Sequence, residues 1–191
     1  FKELTSKIGL MKNLKIVDLS FNDFSVLPPQ FYSLPIEELN LNFNPNFNLI
    51  AESPKISQLS KLKKLFLTGV KFNIFPNDLL LLDLEELAIG NFDITIDESF
   101  IERISRFKNL KALYLSDVSM KKLPDNFDKL QSLEKLDIRY CPTKELKGAV
   151  YGLKKLKNLK MINLYSMPLT LEEVSFLTNE LPGVTIDFLS N

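Results

Sequence analysis

Residues 62–67 read LKKLFL, a short segment with leucine at its first, fourth and sixth positions. The same pattern, with Leu, Ile or Val at those positions, opens at Leu14, Ile36, Leu62, Leu84, Leu110, Leu133, Leu159 and Leu181. Successive openings lie 22, 26, 22, 26, 23, 26 and 22 residues apart. Eight copies in register indicate an internal repeat, and the alternation makes a pair of about 48 residues the true unit.

This Leu-x-x-Leu-x-Leu pattern resembles that of the leucine-rich repeat family, and the resemblance covers nearly the whole chain. It implies an α/β solenoid in which each repeat adds one short strand to a parallel sheet on the concave side. The other residues of each repeat return over the convex side as helices and turns. We therefore expect one domain over residues 1–191, with strands starting near residues 16, 38, 64, 86, 112, 135, 161 and 183.

The connections after the motifs fall into two classes. Three short repeats share a proline signature at residues 27–34, 75–82 and 123–130. Proline fixes φ and removes a donor, so these segments are expected to begin as turns followed by a helical turn or two. The long repeats predict helices, because Phe100, Ile104 and Phe107 share one helical face and residues 149, 153 and 156 repeat the pattern. In the seventh connection, Thr170 and Glu173 have capping-box spacing.

The two ends of the chain carry separate predictions. Residues 1–13 align with the 13 residues before Leu110, so that Leu4, Ile8 and Met11 occupy the positions of an apolar helical face. We interpret this segment as the end of a preceding repeat in a longer array. The last repeat is interpreted as a closing one that ends near Ser190, with a second truncation as the alternative.

The family resemblance also directs attention to the ninth motif position, where asparagine or cysteine usually ties the turn to its neighbours. Here the position is occupied by Asn22, Asn44, Val70, Phe92, Val118, Cys141, Met167 and Leu189. We expect a polar ladder in the first two repeats and apolar packing afterwards. Cys141 is interpreted as a buried structural residue, with a reactive thiol as the minor alternative.

The composition narrows the possible functions. The net charge is zero, which argues against bulk binding of nucleic acid. There is no histidine and only one cysteine, and a Gly-rich phosphate loop is missing, so we expect no enzyme active site, metal or cofactor. The paired carboxylates at residues 37–38, 85–86 and 172–173 are interpreted as surface charge. No stretch approaches the roughly 18 apolar residues that a membrane span requires.

The predicted concave face carries the functional signal. Its second motif position alternates in sign through Lys15, Glu37, Lys63, Glu85, Lys111, Glu134 and Lys160. We expect each of these charges to lie between two opposite ones and to serve the sheet rather than a partner. Large aromatic side chains and an arginine on an exposed face are instead typical of binding surfaces. The candidate contact residues are Phe66, Tyr114, Arg139, Tyr140 and Tyr165.

The arrangement of these aromatic residues can also be predicted. Phe66 and Tyr114 lie two strands apart with Ala88 between them, which predicts a shallow trough about 10 Å wide. Packing of the rings on one another is the competing interpretation. For Phe21 and Phe43, in neighbouring repeats near the turn, we expect a structural stack.

We therefore expect a monomeric, non-enzymatic module that binds a protein or peptide on its concave face. One alternative is the recognition arm of a larger enzyme, and another is a cell-surface spacer or adhesin segment. Six lysines within residues 144–160 offer a weaker possibility, an anionic partner or membrane surface on the convex side. A single cysteine and no Asn-x-Ser/Thr sequon favour a bacterial protein, surface-exposed or secreted, or an intracellular one.

Overall fold

The computed structural model describes residues 1–90, 93–141, 147–167 and 169–188. The strands form one eight-stranded parallel sheet whose spatial order follows the chain order. They are β1 (Ile16–Asp18), β2 (Glu38–Asn40), β3 (Lys64–Thr68), β4 (Glu86–Gly90), β5 (Ala112–Ser116), β6 (Lys135–Arg139), β7 (Met161–Asn163) and β8 (Thr185–Asp187). The predicted starts are confirmed for the first seven strands. The last begins at Thr185, because Gly183 has a φ of +85° and belongs to a turn.

The helices follow the predicted division of the connections. The long connections contain α1 (Leu49–Ile56), α2 (Glu98–Ile104) and α3 (Lys147–Leu153), and the seventh contains α4 (Leu171–Glu180). The proline-bearing connections instead contain 3-10 helices at Pro29–Ser33, Asp78–Leu81 and Phe127–Lys129. The capping box of α4 is confirmed, because the Glu173 backbone N–H donates to Thr170 and the Glu173 carboxylate accepts from the Thr170 backbone N–H. None of the helices in the described ranges is long and apolar enough to cross a bilayer.

The N-terminal segment departs from the alignment with α2. Residues Ser6–Leu10 form a 3-10 helix, and Met11 is 56% exposed, whereas Phe107 at the aligned position is buried. Thr5 provides a physical reason, because its side chain accepts the backbone N–H of Lys7 and the helix begins only at Ser6. Gly9 lets the segment approach Gln30, whose Cβ would lie 2.6 Å from a Cβ at Gly9.

The core runs along the solenoid between the sheet and the connections. Motif positions one, four and six point into it, as Leu62, Leu65 and Leu67 show with 0–1% exposure. The buried side chains form one contiguous cluster that extends from Val17 to Leu181. Because a single repeat has no second layer of its own, each buries its leucines against the next.

The ninth motif position is polar in more repeats than expected. The buried amide of Asn44 donates to the carbonyls of Leu19 and Leu41 and accepts from the backbone N–H of Phe24. The Cys141 thiol makes the equivalent tie to the preceding repeat, with its Sγ 3.7 Å from the Leu115 carbonyl oxygen. The expectation that polar ties end after Asn44 is therefore wrong at Cys141.

At three of the later ninth positions the side chains are buried and apolar, as expected. Val70, Val118 and Met167 are at most 6% exposed. Phe92 and Leu189, together with Ser190, lie outside the described residues. Among the described residues, the row therefore combines apolar packing with the hydrogen bonds of Asn44 and Cys141.

Candidate functional site on the concave face

Strand geometry decides which side chains face the concave surface. Successive residues of a strand point to opposite sides, and β3 alternates between half-buried and buried positions. Phe66 on β3 and Tyr114 on β5 are half-buried and lie outside the core cluster. Both therefore occupy the concave face, as the sequence predicts.

The two rings contact each other across the intervening strand. Phe66 is in register with Ala88 and Ala88 with Tyr114, yet the ring centroids of Phe66 and Tyr114 are only 6.5 Å apart, at 63°. The Ala88 methyl leaves room for the rings to lean together above it, and Ala88 is 5% exposed. The predicted open trough is therefore filled, and we call the Phe66–Ala88–Tyr114 surface the aromatic ridge.

Charged groups fix the Tyr114 end of the aromatic ridge. The Tyr114 hydroxyl lies 3.4 Å from a carboxylate oxygen of Glu86, which also pairs with the Lys64 ammonium at 2.8 Å. The Lys135 ammonium lies 5.0 Å from the centroid of the Tyr114 ring, a cation–π contact. Burial, followed by the charge of Glu86, raises the pKa of Tyr114, whose hydroxyl donates to the Glu86 carboxylate.

A second aromatic pair lies toward the C-terminal end of the sheet. The Tyr140 and Tyr165 rings meet edge to face, with centroids 5.8 Å apart, and Tyr140 is 49% exposed. Arg139 precedes Tyr140 and its side chain is 43% exposed. The structure thus divides the five candidate residues between the aromatic ridge and an Arg139–Tyr140–Tyr165 cluster.

The sequence interpretation missed Asp137. Asp137 occupies the same motif position as Phe66 and Tyr114, yet it is only 2% exposed. Its carboxylate accepts from Arg139 Nε at 2.8 Å and from the Asn163 amide at 3.2 Å. Because Asp137 and Arg139 are two residues apart on one strand, they share a face. That Asp-x-Arg spacing is the signal from which the contact could have been foreseen.

The eighth motif position has a backbone conformation that the sequence did not reveal. Phe21, Phe43 and Tyr140 have φ values of 56°, 55° and 56°. Bulky residues seldom adopt this left-handed region, and each such residue costs about 1–3 kcal/mol. Phe21 and Phe43 form the expected stack, with ring centroids 4.6 Å apart, and Phe21 remains 76% exposed.

The alternating charge row forms separate pairs rather than a continuous chain. Its pairs are Lys15–Glu37 and Lys111–Glu85 at 2.7 Å and Lys160–Glu134 at 2.5 Å. Lys63 leaves the row and pairs with Asp83. The backbone places the interior residues of the row between two opposite charges, as expected and as Lys111 between Glu85 and Glu134 shows, but each exposed ammonium makes its ion pair with one carboxylate.

Two of the convex lysines are already engaged. Lys154 pairs with Glu180 at 2.7 Å and Lys155 with Asp128 at 3.3 Å. The Lys155 ammonium also lies 4.2 Å from the centroid of the Tyr151 ring. Lys144 and the side chain of Lys147 lie outside the described residues. Where it is described, the convex lysine face is thus partly neutralised.

Comparison with known sequences supports the repeat assignment. A family model described as Leucine Rich Repeat matches residues 13–34. An adenylate cyclase of Schizosaccharomyces pombe is 27% identical over 188 residues, which is 95% of this chain. The chain spans 10% of that relative's length.

Solved structures with the same fold include a leucine-rich repeat protein of Leptospira interrogans, with a TM-score of 0.66 and 22% identity. That match covers 98% of this chain and 52% of the other, about half its length. Internalin C2 of Listeria monocytogenes gives a TM-score of 0.68 and 20% identity, covering 95% of this chain and 74% of the other. The plant peptide hormone receptor RGFR1 in complex with RGF2 gives a TM-score of 0.60 and 16% identity. That match covers 100% of this chain and 34% of the receptor chain. The resemblance to the leucine-rich repeat family is therefore confirmed, and the chain is a leucine-rich repeat solenoid.

Proposed function

We propose that the chain is a non-enzymatic module that binds a protein or peptide on its concave face. The proposed contact residues are Phe66, Tyr114, Arg139, Tyr140 and Tyr165. The observation that carries this proposal is the aromatic ridge, a pair of partly exposed rings in contact with each other on the solvent-facing side of the sheet. Aromatic residues and arginine are enriched at the energetic centres of protein interfaces.

The fold supports the same proposal. Solenoids present an extended concave surface on which many of them bind their partners. One structure of this fold is a receptor in complex with a peptide hormone. The rings of the aromatic ridge are already in contact with each other, so a partner would find them ordered and little side-chain entropy would be lost on binding.

A second candidate function is recognition within a larger enzyme. The match to an adenylate cyclase, of which this chain spans 10%, favours it. In that arrangement the concave face binds a regulator or substrate protein, while the reacting groups belong to another part of the enzyme. The full-length reading frame separates the two candidates, because only the second requires a catalytic domain.

A site-specific crosslinking experiment tests the concave assignment. A photoreactive phenylalanine analogue replaces Phe66 in one variant and Tyr151, a 70% exposed residue on helix α3, in the control. We expect one protein of the source lysate to crosslink to the position-66 probe, and the purified protein to bind the unmodified chain. A specific crosslink from position 151 alone would contradict the proposal.

A further inference from the structure

The carboxylate of Asp137 is buried at considerable cost. Its side chain is 3% exposed, and removing an ionised carboxylate from water is unfavourable unless both oxygens find partners. One oxygen accepts from Arg139 Nε at 2.8 Å and the other from the Asn163 amide at 3.2 Å. The three side chains therefore form one network on strands β6 and β7.

Equivalent residues in other repeats do something different. At the same motif position, Asp18 and Asn163 use a side-chain oxygen to accept the backbone N–H two residues further on, at 2.8 and 2.9 Å. Asn40 does the same toward Asn42 at 3.0 Å. At Asp137 the donor from the residue two positions further on is instead the guanidinium of Arg139. Asp137 thus contacts a cationic side chain where the equivalent residues cap a backbone turn.

This contact leaves the outer edge of Arg139 available. With Nε directed at a buried oxygen, the two terminal nitrogens of the planar guanidinium remain, and the side chain is 43% exposed. Paired N–H groups of this kind match the two oxygens of a carboxylate. Ser116, in register with Arg139 on strand β5, adds a hydroxyl on the same face.

The surrounding charge is compatible with an anionic group. Lys135 lies two residues before Asp137 on the same strand face and contributes a second cation. The Asn163 amide donates to the Asp137 carboxylate and stabilises its negative charge. Glu86 is engaged by Lys64, whereas two carboxylates work against an anion: Asp117, whose backbone N–H donates to the Arg139 carbonyl, and Asp187, in register with Asn163. Over residues 101–191 the chain has 15 basic and 11 acidic residues.

We propose that Arg139, held by Asp137 as a positioning residue, receives the carboxylate of an Asp or Glu side chain of the bound protein. This inference rests on the proposed function, because it assigns a chemistry to one end of the same concave face. A side chain is favoured over a chain terminus because Arg139 lies on the sixth of eight strands. A segment of the partner that crosses all eight strands therefore extends past Arg139 on both sides, so its terminus does not lie at Arg139.

The probe is a library of random 12-residue peptides joined at both ends to a display scaffold, so that no peptide has a free carboxyl terminus. We expect the wild-type chain to enrich peptides with Asp or Glu at one fixed position, and Arg139→Glu to enrich Lys or Arg there. The matched control is Lys160→Glu, the same reversal at a lysine that is 72% exposed and lies outside the network. It is expected to retain the acidic preference.

Affinity measurements on one enriched peptide test the positioning role. Asp137→Asn keeps the shape of the side chain but weakens its hold on Arg139. We expect it to lower affinity for the acidic peptide by about 30-fold, and to leave affinity for the matching Glu→Gln peptide unchanged. A purely structural role would weaken both peptides equally. If Asp137→Asn does not fold, Arg139→Gln with the same two peptides decides the question.

The outcomes separate this inference from the proposed function. Two results would overturn the inference and leave concave binding intact, provided that Phe66→Ala still abolishes peptide binding. The first is that the enriched peptides show no acidic preference, and the second is that Arg139→Glu enriches the same acidic peptides as the wild type. If the wild-type chain enriches no peptide, or no concave variant changes binding, both proposals fail.

Discussion

The ring of Phe43 lies against Gly69 in the next repeat. A Cβ built on Gly69 would be 2.9 Å from Phe43 Cδ1 and 3.2 Å from Phe43 Cα. Gly69 has a φ of +77°, which suits glycine, and Phe21 stacks on the other side of Phe43. The three residues form a row across three repeats that depends on the absence of a side chain at position 69.

Gly69→Ala is therefore expected to destabilise the chain through both backbone strain and overpacking. Gly183→Ala is the matched control, because Gly183 has a φ of +85° but a Cβ there would meet nothing within 4 Å. Left-handed strain alone costs about 1–2 kcal/mol, and overpacking adds about 1–3 kcal/mol. Urea unfolding is expected to show the larger loss for Gly69→Ala. Equal losses would mean that the contact with Phe43 is not formed.

Leu113→Ala tests the burial of the motif leucines. Leu113 is fully buried on the central strand β5, so the free energy of unfolding is expected to fall by about 2–5 kcal/mol. Leu81→Ala, at a leucine that is 79% exposed, is expected to change it by less than about 0.5 kcal/mol. A cost under ~1 kcal/mol for Leu113→Ala would contradict the assigned core.

The thiol of Cys141 is expected to be inert in the folded chain. Burial raises its pKa to about 11, and the carbonyl oxygens of Leu115 and Arg139 both lie within reach of the single S–H donor. Since the thiolate is the nucleophile, iodoacetamide at pH 8 is expected to modify Cys141 only after denaturant is added. Alkylation of the native chain at the rate of a free thiol would instead support the reactive-cysteine alternative.

The charge row is expected to contribute little to stability. Glu85→Ala removes the partner of Lys111, and both side chains are at least one-third exposed, so the cost is expected to be under about 1 kcal/mol. Urea unfolding at low and high salt measures it, and a larger, salt-independent cost would show a role beyond surface pairing.

Acid titration tests the same row through its carboxylates. Hydrogen bonds from Lys15 and Lys160 lower the pKa of Glu37 and Glu134 below 4.5. Because the pKa values of these carboxyls are lower in the folded chain than in the unfolded one, the ion pairs stabilise the fold above about pH 4.5. That stabilisation is lost as the pH falls through the pKa values of the folded chain. Stability is therefore expected to decline on acidification, and no decline below pH 4 would contradict the pairing.

The sequence predicted the architecture well because buried positions repeat. Leucines such as Leu65 and Leu113 lie in identical surroundings, so eight copies of one pattern specify one backbone. Side-chain contacts on the concave face do not repeat in this way. The contact between the Phe66 and Tyr114 rings depends on the small side chain of Ala88 between them. The burial of Asp137 depends on the Arg139 side chain folding back over it. Neither contact follows from the apolar pattern.

Whether the concave face binds a partner is tested most directly by titration calorimetry with the protein captured through position 66. Phe66→Ala, Tyr114→Ala and Arg139→Ala are each expected to raise Kd about 30-fold, a cost of at least about 2 kcal/mol, while urea unfolding changes little. The convex control is the double variant Lys154→Glu, Lys155→Glu, which is expected to bind like the wild type. Wild-type affinity in all three concave variants, with binding abolished in the convex one, would contradict the account and place the functional surface on the convex side.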